Sequence, residues 1–281
     1  MNRVSECTAS DGPVFICDFS PPRGSDPALL DGARLVDADF LSVAHSPGRS
    51  VRANSAMTAH AIRQRFGKDV VFTIATRDMN RLTVQSHLLG AALLGLENVI
   101  VLAGDVPQEA READSFRPTG LIRTIKDMNR AVDYRGLRLR SPTSFCVGTV
   151  ADPGRDVRKE ASLAHDKVTA GADFLVTQPV FDLEPLAEFL SCYRDVAGEE
   201  LPCPLFVGLQ VPAQGGLSFS AVPENVRRQL DAGRPGEEIA AEMGRRLIAG
   251  GHSRIYLVPP ILSGGRRDYA AAQRVIEALR E

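Results

Sequence analysis

At 281 residues, with 44% hydrophobic and 24% charged side chains, the chain has an ordinary globular composition and the length of one α/β barrel. A net charge of −2, with no basic stripe among aromatics, argues against nucleic acid, and no apolar run is long enough to cross a bilayer. The five scattered cysteines form no CxxC pair and the start MNRVSECTASDG is polar, so no zinc site, disulfide framework or signal peptide is indicated and a reduced, cytoplasmic setting is expected.

Residues 1–12 read as a flexible lead-in. The first short apolar run bounded by turn residues is 14–19, followed by a helical pattern over 27–36. The alternation continues with strand 40–44 and helix 53–66, strand 70–75 and helix 80–95, strand 99–102 and helix 119–131. Strand 144–150 precedes helix 155–170, and strand 174–177 precedes helix 183–197. Strand 205–209 leads into 221–249, a helical stretch broken near Gly233 and Pro235, and strand 254–258 into helix 267–280. Asn80 is placed to cap the third helix, with Thr119 and Asp182 as caps for the fourth and sixth. Eight such units with no linker between them predict a single (β/α)8 TIM barrel spanning 1–281. An open doubly wound sheet would want a Gly-rich phosphate turn after the first strand, where FSPPRG stands.

Chemistry in such a barrel sits at the C-terminal ends of the strands. Those ends carry Asp18, His45, Thr76, Asp78, Asp105, Asp152, Gln178 and Gln210, polar residues placed directly after apolar runs at a cost in stability. Asp18, in ICDFSPP, is expected to face the barrel's interior, where Ile16 and Phe19 would favour its protonated form and suit it to general-acid work. Holding the PPRG turn or pairing Arg23 is the alternative. Gln178, locked by Pro179, offers both donors and acceptors above the sheet, or else satisfies loop backbone. Asp105 closes VIVLAGD, with Gly104 allowing close approach to a ligand, a turn cap being the other reading. Arg77 and Asp78 read as a helix-start ion pair. Gly215-Gly216 and Gly264-Gly265 fall in the last two βα loops, where barrels hold phosphate, though ordinary flexible loops explain them equally well. There is no metal-ligand spacing, nucleophile elbow or P-loop, so the pattern points to an organic ligand and one or two carboxylates for acid–base work.

Several stretches together resemble the methylenetetrahydrofolate reductase family, over roughly residues 14–262. They are DFSPPRG on the first strand, LAGDVP after the fourth, and KVTAGADFLVTQPVFD across the sixth. The longer ATRDMNRLTVQSHLLGAALLGLENVIVLAGD, with GLIRTIKDMN and PTSFCVG, looks closest to the branch that includes the reductase half of bifunctional homocysteine methyltransferase proteins.

The resemblance implies reduction of 5,10-methylenetetrahydrofolate to 5-methyltetrahydrofolate by NADH or NADPH through bound FAD. It implies Asp18 as the acid that protonates N10 of the folate, Asp105 as the carboxylate that binds the pterin and tunes the flavin, and Gln178 and Gln210 on the substrate. Flavin contacts would come from Ala44, His45, Thr73, Thr76, Ala103, Gly104, Asp105, His165, Lys167 and Ala170. Homo-oligomerisation is the base-rate expectation.

The chain departs from the family pattern in having Asp where the acid is usually Glu. Thr73 and Ala103 stand at flavin-contacting places that are commonly more polar, and His165 where a Lys often reaches the flavin. The eighth strand ends in YLVPPI rather than aromatic-Thr-Leu-Asn-Arg. These departures keep two other readings open: a flavin-independent or modified-pterin one-carbon reductase, and a non-catalytic folate- or flavin-binding barrel that serves as an accessory subunit.

Overall fold

A computed structural model describes residues 2–7, 12–104 and 116–281. Eight parallel strands close into a barrel in sequence order: β1 Val14–Phe19, β2 Phe40–Val43, β3 Val70–Ala75, β4 Asn98–Leu102, β5 Cys146–Ala151, β6 Phe174–Pro179, β7 Leu205–Gln210 and β8 Arg254–Val258. The covering helices are α1 Ser55–Phe66, α2 Arg81–Leu93, α3 Pro118–Met128, α4 Val157–Thr169, α5 Glu184–Ala197, α6 Glu224–Asp231, α7 Gly236–Ala249 and α8 Tyr269–Arg280. Alternate strand residues such as Val14, Ile16, Phe40, Val71, Ile100, Phe174 and Phe206 fill the interior. Their neighbours, among them Phe15, Leu41, Phe72, Val101 and Val207, pack outward under the helices. With both faces buried, the strands read as continuous apolar runs, which is why they were visible in the sequence.

The details differ from expectation in three places. The 27–36 pattern forms a 3-10 helix, Pro27–Leu35, which Pro27 starts and the Asp26 side chain caps at Ala28 N–H. It lies so close to α8 that a Cβ on Gly32 would come 2.5 Å from the Tyr269 ring. Asn80 caps α2 through Thr83 N–H as expected, but α3 begins at Pro118 behind Arg117, so Thr119 is not its cap. Asp182 accepts from Leu183 N–H, one residue ahead of α5, and pairs with Arg246. The long 221–249 stretch does divide, into α6 and α7.

Within the expected flexible lead-in 1–12, residues 2–7 close the barrel floor, while residues 1 and 8–11 lie outside the described residues. Val4 is fully buried against the interior apolar residues. The buried Asn98 side chain accepts from Val4 N–H (3.1 Å) and donates to Asn2 O (2.9 Å) and Val70 O (3.3 Å). Asn98→Leu keeps the size but strands these backbone groups. It is expected to cost about 1–3 kcal/mol in urea denaturation while leaving ligand binding at the far end unchanged.

Around α5, burial reinforced by Cys203 and Glu199 pushes the Tyr193 phenol up to about 12. Burial and the nearby Asp173 push the Cys203 thiol up to about 12. An unfolded chain ionises these groups near 10.0 and 9.0, so the folded state holds its protons longer. Their contribution is complete below the unfolded values and is lost as pH rises above them. Melting temperature measured from about pH 8 to 11 should therefore fall, and Tyr193→Phe with Cys203→Ala should flatten the fall.

Candidate active site

Asp18 is the only buried carboxylate among the described residues and stands at the upper end of β1, in register with Ser42 of β2. Arg267, just ahead of α8, places Nε at 3.2 Å and Nη2 at 3.1 Å from Asp18 Oδ2, and both side chains are at most 5% exposed. The Tyr256 hydroxyl, inside the barrel on β8, lies 3.5 Å from Asp18 Oδ1 and 3.3 Å from Ser42 Oγ. Burial and the Asp18 charge raise the Tyr256 phenol well above its ordinary value, so it serves as a hydrogen-bond donor here. The PPRG turn is held by other groups: Arg52 donates to Pro21 O (3.0 Å) and Tyr269 accepts from Ser20 N–H (3.0 Å). The environment of Asp18 is thus an ion pair with Arg267, not the purely apolar pocket that its sequence neighbours suggested, and its partner is not Arg23.

Gln178 owes its position to a bulge. Val176 pairs with Phe206 and Pro179 with Gly208, so β6 carries an extra residue there. Gly208 makes room for it, since a Cβ would lie 2.6 Å from Thr177 O and 2.7 Å from Gln178 O. Thr177 Oγ1 accepts from Gly208 N–H and donates to Gln178 O, both at 2.8 Å. The Gln178 side chain is partly exposed and bonds to no described residue, leaving its amide for a ligand. Gln210 has the opposite fate. Its amide donates to Leu217 O (2.8 Å) and accepts from Ser218 Oγ and Phe219 N–H (both 2.9 Å), so it anchors its own loop instead of reaching a substrate.

That loop joins the next one through isolated antiparallel bridges, Leu217 to Ile261 and Ile261 to Arg267. Gly216 fits this ladder because a Cβ would meet Ile261 O at 2.9 Å. Phe219 lies under the Arg267 guanidinium, 5.7 Å from ring centroid to Cζ.

The residues expected to hold a flavin do not form one surface. Ala44 and His45 follow β2, Thr73 lies within β3 and Thr76 just beyond it, and Ala103 and Gly104 follow β4. The buried Arg77 side chain fills the space between them. It donates to Ser46 O (3.0 Å) and His45 O (3.4 Å), and a Cβ on Gly104 would collide with its guanidinium. Gly104 therefore admits Arg77 where close approach of a ligand was expected. Lys167 turns its ammonium, lowered by burial, onto Val150 O at 2.7 Å. His165 packs on Tyr193 of α5, outside the barrel (ring centroids 6.1 Å apart), and Ala170 ends α4 at the floor. A helix that descends from the mouth carries its last turn away from it. Asp105 lies outside the described residues. The Thr76 hydroxyl is buried without a partner among them. The described residues among them make no cradle for an isoalloxazine ring.

Sequence reasoning missed Arg267, Tyr256 and Ser42. Tyr256 had a signal, a large polar residue at an inward position of a short strand, whereas Arg267 in GGRRDY had none.

An eight-stranded parallel barrel with a carboxylate, a free amide and a guanidinium at its mouth belongs to the class of α/β barrels that handle small organic ligands. No described group of His, Cys, Asp and Glu could hold a metal, and no described helix is long and apolar enough to cross a membrane. The family model described as methylenetetrahydrofolate reductase matches residues 3–224, and the chain belongs to that family. It is 24% identical over 269 residues to a probable methylenetetrahydrofolate reductase (NADPH) of Caenorhabditis elegans, an alignment covering 89% of this chain and 35% of that protein. It is 23% identical over 184 residues to 5,10-methylenetetrahydrofolate reductase of Pectobacterium carotovorum, covering 61% and 56%. The chain thus spans well under two thirds of these relatives' lengths. An uncharacterized protein from Clostridium thermocellum that binds two copies of 5-methyl-5,6,7,8-tetrahydrofolic acid shares the fold, with a TM-score of 0.71, 12% identity and coverage of 96% and 95%.

Proposed function

We propose that the chain reduces 5,10-methylenetetrahydrofolate to 5-methyltetrahydrofolate with a hydride from NADH or NADPH. The observation that carries this reading is Asp18, the one buried carboxylate among the described residues, at the mouth of a barrel whose family is that of methylenetetrahydrofolate reductases. Opening the methylene bridge needs a proton on N10, which leaves a cationic iminium at N5 to accept the hydride. Asp18 is the group to deliver that proton, and its negative charge afterwards favours the cation. Gln178 has the unbonded amide that can orient a flat pterin through paired hydrogen bonds. The setting is cytoplasmic, in keeping with five free thiols.

Arg77 packed against Gly104 favours a second form of this reading, in which the hydride passes from the nicotinamide to the folate with no flavin between them. Two measurements test both. Oxidation of NAD(P)H that depends on methylenetetrahydrofolate and yields 5-methyltetrahydrofolate is the expected result. Tight binding of 5-methyltetrahydrofolate without turnover would instead favour the accessory binder. Visible absorption after incubation with excess FAD and removal of the unbound part should show no retained flavin band; a stoichiometric band would restore the flavin route.

A further inference from the structure

We propose that Arg267 is a latch exchanged by the substrate: it occupies Asp18 in the empty barrel, and a carboxylate on the substrate's own tail draws it away, freeing Asp18 to carry the proton. The proposal rests on the reductase reading and says how that site is switched on.

Both Arg267 nitrogens that reach Asp18 converge on one oxygen, and the pair is almost wholly buried. An oxygen so engaged accepts two hydrogen bonds from Arg267 and is not free to pass a proton to a ligand. Parting the two leaves a buried guanidinium without counter-charge, which is strongly unfavourable unless another anion takes it. The described residues around the pair supply none. Tyr256 and Tyr269, the phenols beside it, are held neutral, with their ordinary values raised by burial and by Asp18. The Cys17 thiol is raised in the same way. Asp268, next in sequence, is committed to capping α8 at Ala271 N–H. The other charged neighbours are cations: burial, Arg23 and Arg267 hold Arg52 below its ordinary value. Among the described residues here, one carboxylate stands with three arginines.

The ligand itself can bring that anion. Folate carries its glutamyl carboxylates beyond the aryl amine that contains N10, so an acid set at N10 leaves the tail running out over the rim. With Arg267 on the tail, the buried carboxylate takes a proton from solvent and passes it to N10. The electron pair of the breaking N10–CH2 bond stays on nitrogen, and the hydride of NAD(P)H then fills the iminium carbon. Asp18 ends as a carboxylate, and Arg267 returns to it as the product leaves. Arg267 is thus a positioning residue acting through Asp18. Its place on the Leu217–Ile261–Arg267 ladder, above the Phe219 ring, ties the exchange to the loop over the mouth.

The test compares 5,10-methylenetetrahydrofolate with its glutamyl diamide, in wild type and in Arg267→Gln. In wild type, kcat should fall about tenfold or more with the diamide, because the displaced guanidinium finds no counter-charge. In Arg267→Gln, the two substrates should have kcat values within about twofold, with no cation left to relocate. A wild-type effect confined to KM means that the rim merely binds the tail and overturns the latch. Equal kcat for both substrates overturns it too, as does full discrimination retained by a folded Arg267→Gln. If that variant does not fold, the wild-type comparison decides alone. Turnover of neither substrate by folded wild type overturns the reductase reading itself, and the latch falls with it.

Discussion

Asp18→Asn is expected to lower methylenetetrahydrofolate turnover by about 10²- to 10⁴-fold, the usual worth of a positioned acid. Asparagine keeps the shape and one acceptor oxygen, enough for Arg267 or Tyr256 but not both, and carries no transferable proton. Binding of 5-methyltetrahydrofolate should survive, because that ligand has no bridge to open. The same change removes the counter-charge of a buried guanidinium, so stability should fall toward the roughly 3–5 kcal/mol of a broken buried pair. The side chains are too enclosed for solvent to cover much of that loss. Asp18→Asn combined with Arg267→Met separates the two effects, since replacing both members of a buried pair by neutral groups is often nearly neutral. The double variant should recover its denaturation midpoint and remain inactive. Activity restored along with stability would show that Asp18 is structural.

Gly208→Ala should damage fold and site together. The added methyl would press on the backbone of Thr177 and Gln178, atoms that cannot rotate away as a flexible side chain could. Overpacking of this kind costs about 1–3 kcal/mol. Relief requires the β6 bulge to shift, which turns Gln178 from its present aim and raises the KM for folate. Gln178→Ala is the companion measurement: it should raise KM with the denaturation midpoint unchanged. A Gly208→Ala enzyme with normal folate kinetics would remove the bulge from any role in recognition.

The barrel was legible because each strand is buried on both faces, and a run such as Val70–Ala75 admits no other placement of so many branched apolar residues. The first covering helix was misjudged since composition cannot distinguish an α-helix from a 3-10 segment squeezed against α8. Asp18 and Gln178 were legible as polar residues where an apolar run ends. Gln210 gave the same signal and means something else, because its amide is consumed by a loop whose path the sequence does not announce. Arg267 was illegible for a related reason. Its partner is 249 residues away, and only closure of β8 onto β1 brings the two together. The residues carried over on α4 part on geometry: His165 and Lys167, two apart, point to different sides of the helix, His165 outward onto Tyr193 and Lys167 along β5, where its ammonium is spent on Val150 O.

The bridges from Leu217 to Ile261 and on to Arg267 make the seventh and eighth βα loops one heritable module. A chimera that imports either loop alone from a relative would leave the hydrogen bond of Leu217 N–H to Ile261 O without its counterpart, and importing the seventh alone would also replace the segment that Gln210 holds. Transplanted together, the pair would carry its own closure with it. Engineering of substrate range in this barrel therefore has to treat residues 211–223 and 259–268 as a single cassette.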